Sequence, residues 1–206
     1  MRRPYCPDKP THATCVELTM PKTSSNSTPS AKIDRTAEQH RWHLATDDFS
    51  VEITDLEYAV MRVYQSFLRW QSECLAAVTG ITLSGQENTL LHIIRMHERP
   101  KTIKDLLHMT NRQDVPNMQY ELRKLLKAEL VDKYGSARTG IYYFATDEGI
   151  RVCDEFARLR RETLLETAQG EFGPKSSALK AAGQLEQLEK VYEIATREIA
   201  TYHRRR

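Results

Sequence analysis

Long apolar runs are missing from this 206-residue chain, so no stretch supplies the roughly 20 consecutive apolar residues of a membrane-spanning helix. Glycine is scarce, at eight residues, and none sits in a phosphate-cradling loop. The four cysteines, Cys6, Cys15, Cys74 and Cys153, form neither a CxxC pair nor zinc-ligand spacing, which points to a reduced, cytoplasmic protein. Cys74 and Cys153 read as small core residues rather than redox sensors. The seven histidines, among them His92, His97 and His108, are scattered, and no nucleophile motif accompanies them. An enzyme is therefore not expected, nor a metal or other cofactor. Charge of one sign is lacking too: 30 basic against 28 acidic residues leave a net +2. Affinity for a polyanion has to come from where the cations sit, not from their number.

What is present begins after residue 50. The first fifty residues include the low-complexity run from Lys22 to Ser30, too polar to repay ordering, and are expected to form a disordered tail. Arg2-Arg3 is followed by no apolar stretch, so no export signal is read there, and Met20 offers an alternative start. From Ile53 the pattern changes. Leu56, Val60, Val63, Phe67, Trp70 and Cys74 step by 4, 3, 4, 3 and 4 residues, a heptad seam on a helix ending near Gly80. Residues 51–80 thus make a helix with too little protein nearby to cover it, and pairing with a second chain is the expected remedy. Ser84 and Glu87 form a capping box that starts a helix through Leu90, Leu91 and Ile94 to about His97, stopped by Pro100.

The centre of the chain is Thr102 to Thr146. Thr102 and Asp105 give a capping-box-like start to a short helix with Ile103, Leu106 and Leu107 inward. After the polar break Thr110 to Gln113, Asp114 caps a second helix that tolerates Pro116 in its first turn. Met118, Leu122 and Leu125 form its buried stripe, leaving Pro116, Tyr120, Arg123, Lys124 and Lys127 opposite, flanked by Asn117 and Gln119. Cations suit phosphates and amides suit base edges, which is what a helix in the major groove of DNA needs. Leu130–Tyr134 and Ile141–Phe144 then pair as a hairpin across Gly135–Gly140, with Arg138 at its tip, in reach of a phosphate or a narrow minor groove. The expected fold is mainly α with a small β-hairpin wing, a winged helix-turn-helix with long N- and C-terminal dimerisation helices.

Beyond the wing, Thr146 caps a helix carrying Ile150, Cys153, Phe156, Ala157 and Leu164, ended by Gly170–Pro174. A last helix shows a second heptad seam, Leu185, Leu188, Tyr192, Ala195, Ile199 and Tyr202, before a frayed basic end, Arg204 to Arg206. The division is a tail over 1–50, an N-terminal dimerisation helix over 51–80, a DNA-binding core over 81–146 and C-terminal dimerisation helices over 147–206.

In this order of elements, from about Leu56 to Leu165, the chain resembles the MarR family of bacterial transcription regulators. Leu125-Leu126-Lys127-Ala128-Glu129-Leu130-Val131 stands where the family often has Leu-Glu-x-x-Gly-Leu-Val, and Ala145-Thr146-Asp147-Glu148-Gly149 where it has Leu-Thr-x-x-Gly. Ser136-Ala137-Arg138 matches the wing's Asp-x-Arg without its aspartate, and Glu129 replaces a glycine, so the recognition helix is expected to run on or end differently there. The resemblance implies a homodimer on a pseudo-palindromic operator in double-stranded DNA, in the cytoplasm at the nucleoid. Gln113, Asn117, Gln119, Tyr120 and Arg123 would face bases, and Lys124, Lys127 and Arg138 phosphates. It further implies a repressor released by a small aromatic ligand in a cleft for which Phe67, Trp70, Thr89 and His92 are the candidates. The competing reading is a winged-helix protein-interaction module without DNA binding, favoured by the tyrosine-rich wing and the missing aspartate.

Overall fold

The computed structural model describes residues 43–136, 138–172 and 177–203. The expected tail lies outside the described residues as far as residue 42, as do Cys6, Cys15, Ala137, the 173–176 part of the expected helix stop, and Arg204 to Arg206. By spatial grouping the chain divides after Thr54. Before that division, Ser50 and Asp47 bond reciprocally: each backbone N–H meets the other's side chain at 2.8 Å. This exchange satisfies donors that a helix start leaves orphaned, and helix α1, Asp48–Thr79, begins there, a few residues ahead of the expected start.

The second unit is built around α2, Gly85–Arg95, which packs on α3 (Ile103–Met109), α4 (Val115–Lys127) and α5 (Asp147–Arg160). Both expected capping boxes are present. Ser84 takes the N–H of Glu87 while Glu87 takes that of Ser84, and Thr102 and Asp105 do the same at α3. Leu90, Leu91 and Ile94 meet Leu106, Met118, Leu122 and Leu125 in one buried cluster. Completely buried leucines contribute about 1.5–3 kcal/mol each, so this three-helix contact is what fixes the tilt of α4.

Strands β1, Val131–Ser136, and β2, Gly140–Ala145, pair antiparallel with Val131 opposite Ala145 and Ser136 opposite Gly140. The ladder is longer than expected because Ser136 and Thr139 close its tip. The Ser136 N–H donates to the Thr139 hydroxyl at 3.0 Å, and the Thr139 N–H donates back to the Ser136 hydroxyl at 3.3 Å. Lys101 adds a third, one-residue rung, exchanging backbone hydrogen bonds of 2.9 and 2.8 Å with Tyr143.

After α2 the chain makes a 3-10 turn, Met96–Glu98, in which His97 and Glu98 both adopt left-handed backbone, φ 62° and 50°. That turn is tied down by Lys101, fully buried, whose ammonium donates to the carbonyls of Ile94 at 2.8 Å, Arg99 at 2.9 Å, and Met96. Burial, and then the charge of Arg99, push this ammonium below the ordinary lysine range.

Helix α4 ends where glycine is the usual residue. Glu129 takes φ 59°, its N–H bonds to the carbonyl of Leu126 and that of Leu130 to Leu125, both at 3.1 Å. This is a Schellman stop with a glutamate in the left-handed position, so α4 does not run on. A left-handed non-glycine residue is disfavoured by roughly 1–2 kcal/mol, part of which glycine gives back as unfolded-chain entropy. Glu129→Gly should therefore stabilise the protein by about 0.5–1 kcal/mol, read as a higher urea midpoint at unchanged slope.

The helix expected after the wing is interrupted. It runs as α5, then a π-turn over Arg161–Leu165, then α6, Glu166–Phe172. The last helix, α7, covers Ser177–His203. Its Leu185, Tyr192, Ala195 and Ile199 are exposed and Leu188 is half-buried. Polar contacts tie it to distant parts of the chain: the Tyr192 hydroxyl donates to Glu57 and the Asn111 amide donates to Glu189, each at 3.0 Å. No helix among the described residues is long and apolar enough to cross a membrane.

Candidate nucleic-acid interface

The expected two-sidedness of α4 is present. Met118, Leu122 and Leu125 are buried, while Pro116, Asn117, Gln119, Tyr120, Arg123 and Lys127 are exposed, as is Gln113 in the turn before the helix. Tyr120 projects from the middle of this face, with the Arg123 guanidinium 5.9 Å and the Lys124 ammonium 5.6 Å from its ring centre. A phenol flanked by two cations favours an anionic surface on the outside and holds the long side chains near one orientation.

The eight expected contact residues are not alike. Lys124 is half-buried, and its Nζ lies 2.5 Å from a carboxylate oxygen of Glu87, which is itself only 2% exposed. The other Glu87 oxygen accepts the Ser84 N–H at 2.7 Å. The bond to Glu87 holds the Lys124 ammonium above its ordinary value, so it stays charged while being partly neutralised. Among the described residues, no ion pair engages Arg123, Lys127 or Arg138.

Arg112, in the polar turn before the helix, organises the start of α4. Its guanidinium grips Asp114 at 2.9 and 3.0 Å and Glu121 at 2.7 and 3.0 Å. Asp114 therefore occupies the cap position of α4 without capping it: its carboxylate is taken by Arg112 and by the Asn117 amide, 3.0 Å away. Arg112 first, and Asn117 second, hold the Asp114 carboxyl well below the usual carboxylate range. Only the pairing of Arg112 with Asp114 two residues on hinted at this clamp. Glu121, buried on the flank of an otherwise apolar stripe, was the missing half.

The wing tip carries Arg138 exposed to solvent. The reciprocal Ser136–Thr139 bonds close the tip at Ser136, the residue that stands in place of a wing aspartate.

Residues 83–149 match a family model described as a winged helix DNA-binding domain. Among solved structures, the chain is similar to a mutant MarR from E. coli complexed with operator DNA, at 21% identity over 71% of this chain and 99% of that one, TM-score 0.52. It is similar also to the S. aureus MepR–DNA complex, at 17% identity over 67% and 95%, TM-score 0.51. S. aureus MarR in complex with salicylate and kanamycin aligns at 17% identity over 73% and 96%, TM-score 0.52. The fold is that of the MarR-type winged-helix regulators. No curated protein matches the chain.

Within this MarR-type fold the four residues expected to line a ligand cleft fall into two groups. Phe67 and Thr89 line a cavity of about 310 Å³ with Tyr64, Leu90, Ile93 and Met109. Trp70 and His92 instead pack on Phe156, with ring centres 5.3 and 4.4 Å away. The His92 Nε2 is buried without a hydrogen-bond partner, and burial, then the charges of Arg95 and Arg160, pull its pKa down to about 4. His92 is thus a half-buried ring, packed on Phe156 and neutral at physiological pH. Cys74 and Cys153 are both free and buried, and burial raises both thiols, Cys153 to about 11, so neither is a ready thiolate. Among the described residues no cluster of His, Cys, Asp and Glu could hold a metal ion.

Proposed function

We propose that this chain is a homodimeric, sequence-specific DNA-binding transcription regulator that represses from a pseudo-palindromic operator. The observation that carries the reading is the face of α4: its apolar stripe is buried and its amides, Tyr120, Arg123 and Lys127 are all left outside. Gln113, Asn117, Gln119, Tyr120 and Arg123 face base edges; Lys127, Arg138 and the half-neutralised Lys124 meet phosphates. The likeness to two DNA complexes supports this placement at the level of the fold.

Dimerisation rests on what a single chain leaves uncovered. Along α1, Val63 is 67% and Met61 53% exposed, with Leu56 and Phe67 on the same helix also open, and α7 exposes Val191, Ile194 and Ile199. Two such helices from each copy, the 51–80 and 147–206 regions, close over one another and hold two 81–146 heads one helical turn of DNA apart, about 10 base pairs. A small aromatic ligand entering beside Phe67 and Thr89 releases the operator by preferring another spacing of the heads. The protein then works in the cytoplasm, at the nucleoid.

The division of labour on α4 is testable by paired substitutions. Arg123→Ala should lower affinity for the operator by about 1–3 kcal/mol and relax the preference at one base position. Lys127→Ala should weaken operator and random duplex alike and flatten the slope of log affinity against log salt by about one. Equal losses on both duplexes for both variants would overturn the assignment.

A further inference from the structure

A groove of about 560 Å³ runs between the start of α2 and α4, with Tyr64 of α1 on its border. Five charged side chains line it: Glu87, Asp114 and Glu121 against Arg112 and Lys124. Three carboxylates against two cations leave the groove with one negative charge, although it adjoins the face on which Tyr120, Arg123 and Lys127 stand exposed. A polyanion is repelled at the groove and attracted beside it.

Within the groove the pairing is divided. Arg112 takes both Asp114 and Glu121, which leaves Glu87 to Lys124. Glu87 is the third residue of α2 and is held by its own capping box, one oxygen accepting the Ser84 N–H at 2.7 Å. Helix α4 packs on α2, the carboxylate is only 2% exposed, and the Lys124 ammonium, 2.5 Å away, is the charge that meets it. An exposed ion pair gives way easily, whereas parting this one would strand a buried carboxylate. Lys124 is therefore a cation of the reading face that cannot swing freely to a phosphate, and it is held with its ammonium 5.6 Å from the centre of the Tyr120 ring. Arg123 and Lys127 on the same face are in no ion pair among the described residues.

We infer that Glu87 is a positioning residue that sets operator selectivity: by holding Lys124 beside Tyr120 it withholds one cation from the phosphates of random sequence. On random duplex α4 has no fixed seat, and a released lysine on its four-carbon stem finds a phosphate in any register. On the operator the seated helix fixes where that stem starts, so release brings less. Specificity is the difference between the two affinities, and Glu87 acts by lowering the wrong one. This inference rests on the DNA-binding reading above.

Glu87→Gln tests it, because glutamine keeps an oxygen for the Ser84 N–H and with it the capping box. Binding of the full-length protein to operator and to random duplex is measured across a range of salt. Affinity for random duplex should rise about eightfold at roughly 0.1 M salt, and the slope of log affinity against log salt should steepen by about one. The operator should gain less, so that selectivity falls at least about threefold. The double variant Glu87→Gln, Lys124→Met should return the slope and the random-duplex affinity to those of the parent protein. Glu166→Gln, which makes the same change in net charge on the exposed side of α6, should alter neither. Circular dichroism confirms that each variant is folded. An unchanged slope in Glu87→Gln, an equal gain on both duplexes, a gain that persists in the double variant, or the same gain from Glu166→Gln would overturn the assignment and leave the DNA-binding reading standing. Failure of the parent protein to bind either duplex would overturn that reading, and this one with it.

Discussion

Arg112→Ala should destabilise the protein by about 3 kcal/mol, because it leaves the carboxylate of Glu121 buried without its counter-charge. Glu121 is only 5% exposed, and Arg112 supplies two of its bonds, at 2.7 and 3.0 Å. The same substitution frees Asp114 and with it the Asn117 amide, so the first turn of α4 loses its fixed geometry. Urea unfolding reads the first effect. The second appears in a duplex titration as a loss greater for the operator than for random sequence, since positioning matters only where bases are read. The double variant Arg112→Ala, Glu121→Gln removes the orphaned charge and should recover about half of the stability but not the operator preference. Recovery of both would reduce Arg112 to a stability element.

A second substitution tests how α4, the wing and α5 are joined. The Thr146 hydroxyl donates to the Glu129 carbonyl at 2.7 Å and accepts the Gly149 N–H at 3.0 Å, tying the start of α5 to the end of α4. Gly149 lets this junction close: a Cβ there would stand 2.0 Å from the carbonyl oxygen of Leu130, which is backbone and has nowhere to go. Gly149→Ala should therefore lower stability by about 3 kcal/mol, the upper range of overpacking effects. Gly170→Ala is the matched control. Nothing lies within 4 Å of its Cβ position, and inside helix α6 alanine is favoured by up to about 1 kcal/mol. Similar unfolding midpoints for the two variants would show that the Leu130–Gly149 approach is not tight in solution.

The local parts of this fold were legible because their signals are local. Ser84 with Glu87, Thr102 with Asp105, and Thr146 before two acids each announce a helix start within four residues, and each is where the chain turns helical. The stripe Met118, Leu122, Leu125 fixed which side of α4 faces inward. What stayed hidden depends on partners distant in sequence or on backbone geometry. Asp114 looks like a cap until Arg112 and Glu121 are brought together, and Lys124 looks like a free cation until Glu87 on α2 arrives beneath it. Glu129 breaks the usual glycine preference, yet the two backbone bonds that end α4 hold it left-handed, so the loss of glycine changes the strain and not the stop. Trp70 and His92 share a helix-face pattern with Phe67 and Thr89, but Phe156 from α5 claims them, which no pattern within α1 or α2 reveals.

The proposed regulator works only if two copies present paired α4 faces to one duplex. Its most direct test is a titration of the duplex from upstream of the chain's own coding region, against random duplex, with mass determination of the complexes across a range of salt. Two chains per duplex are expected, with binding to the upstream sequence at least about a thousandfold tighter than to random sequence and log affinity falling linearly with log salt. A protein that remains a single subunit, or that binds neither duplex at low salt, would contradict it and leave the winged head as a surface for protein contacts.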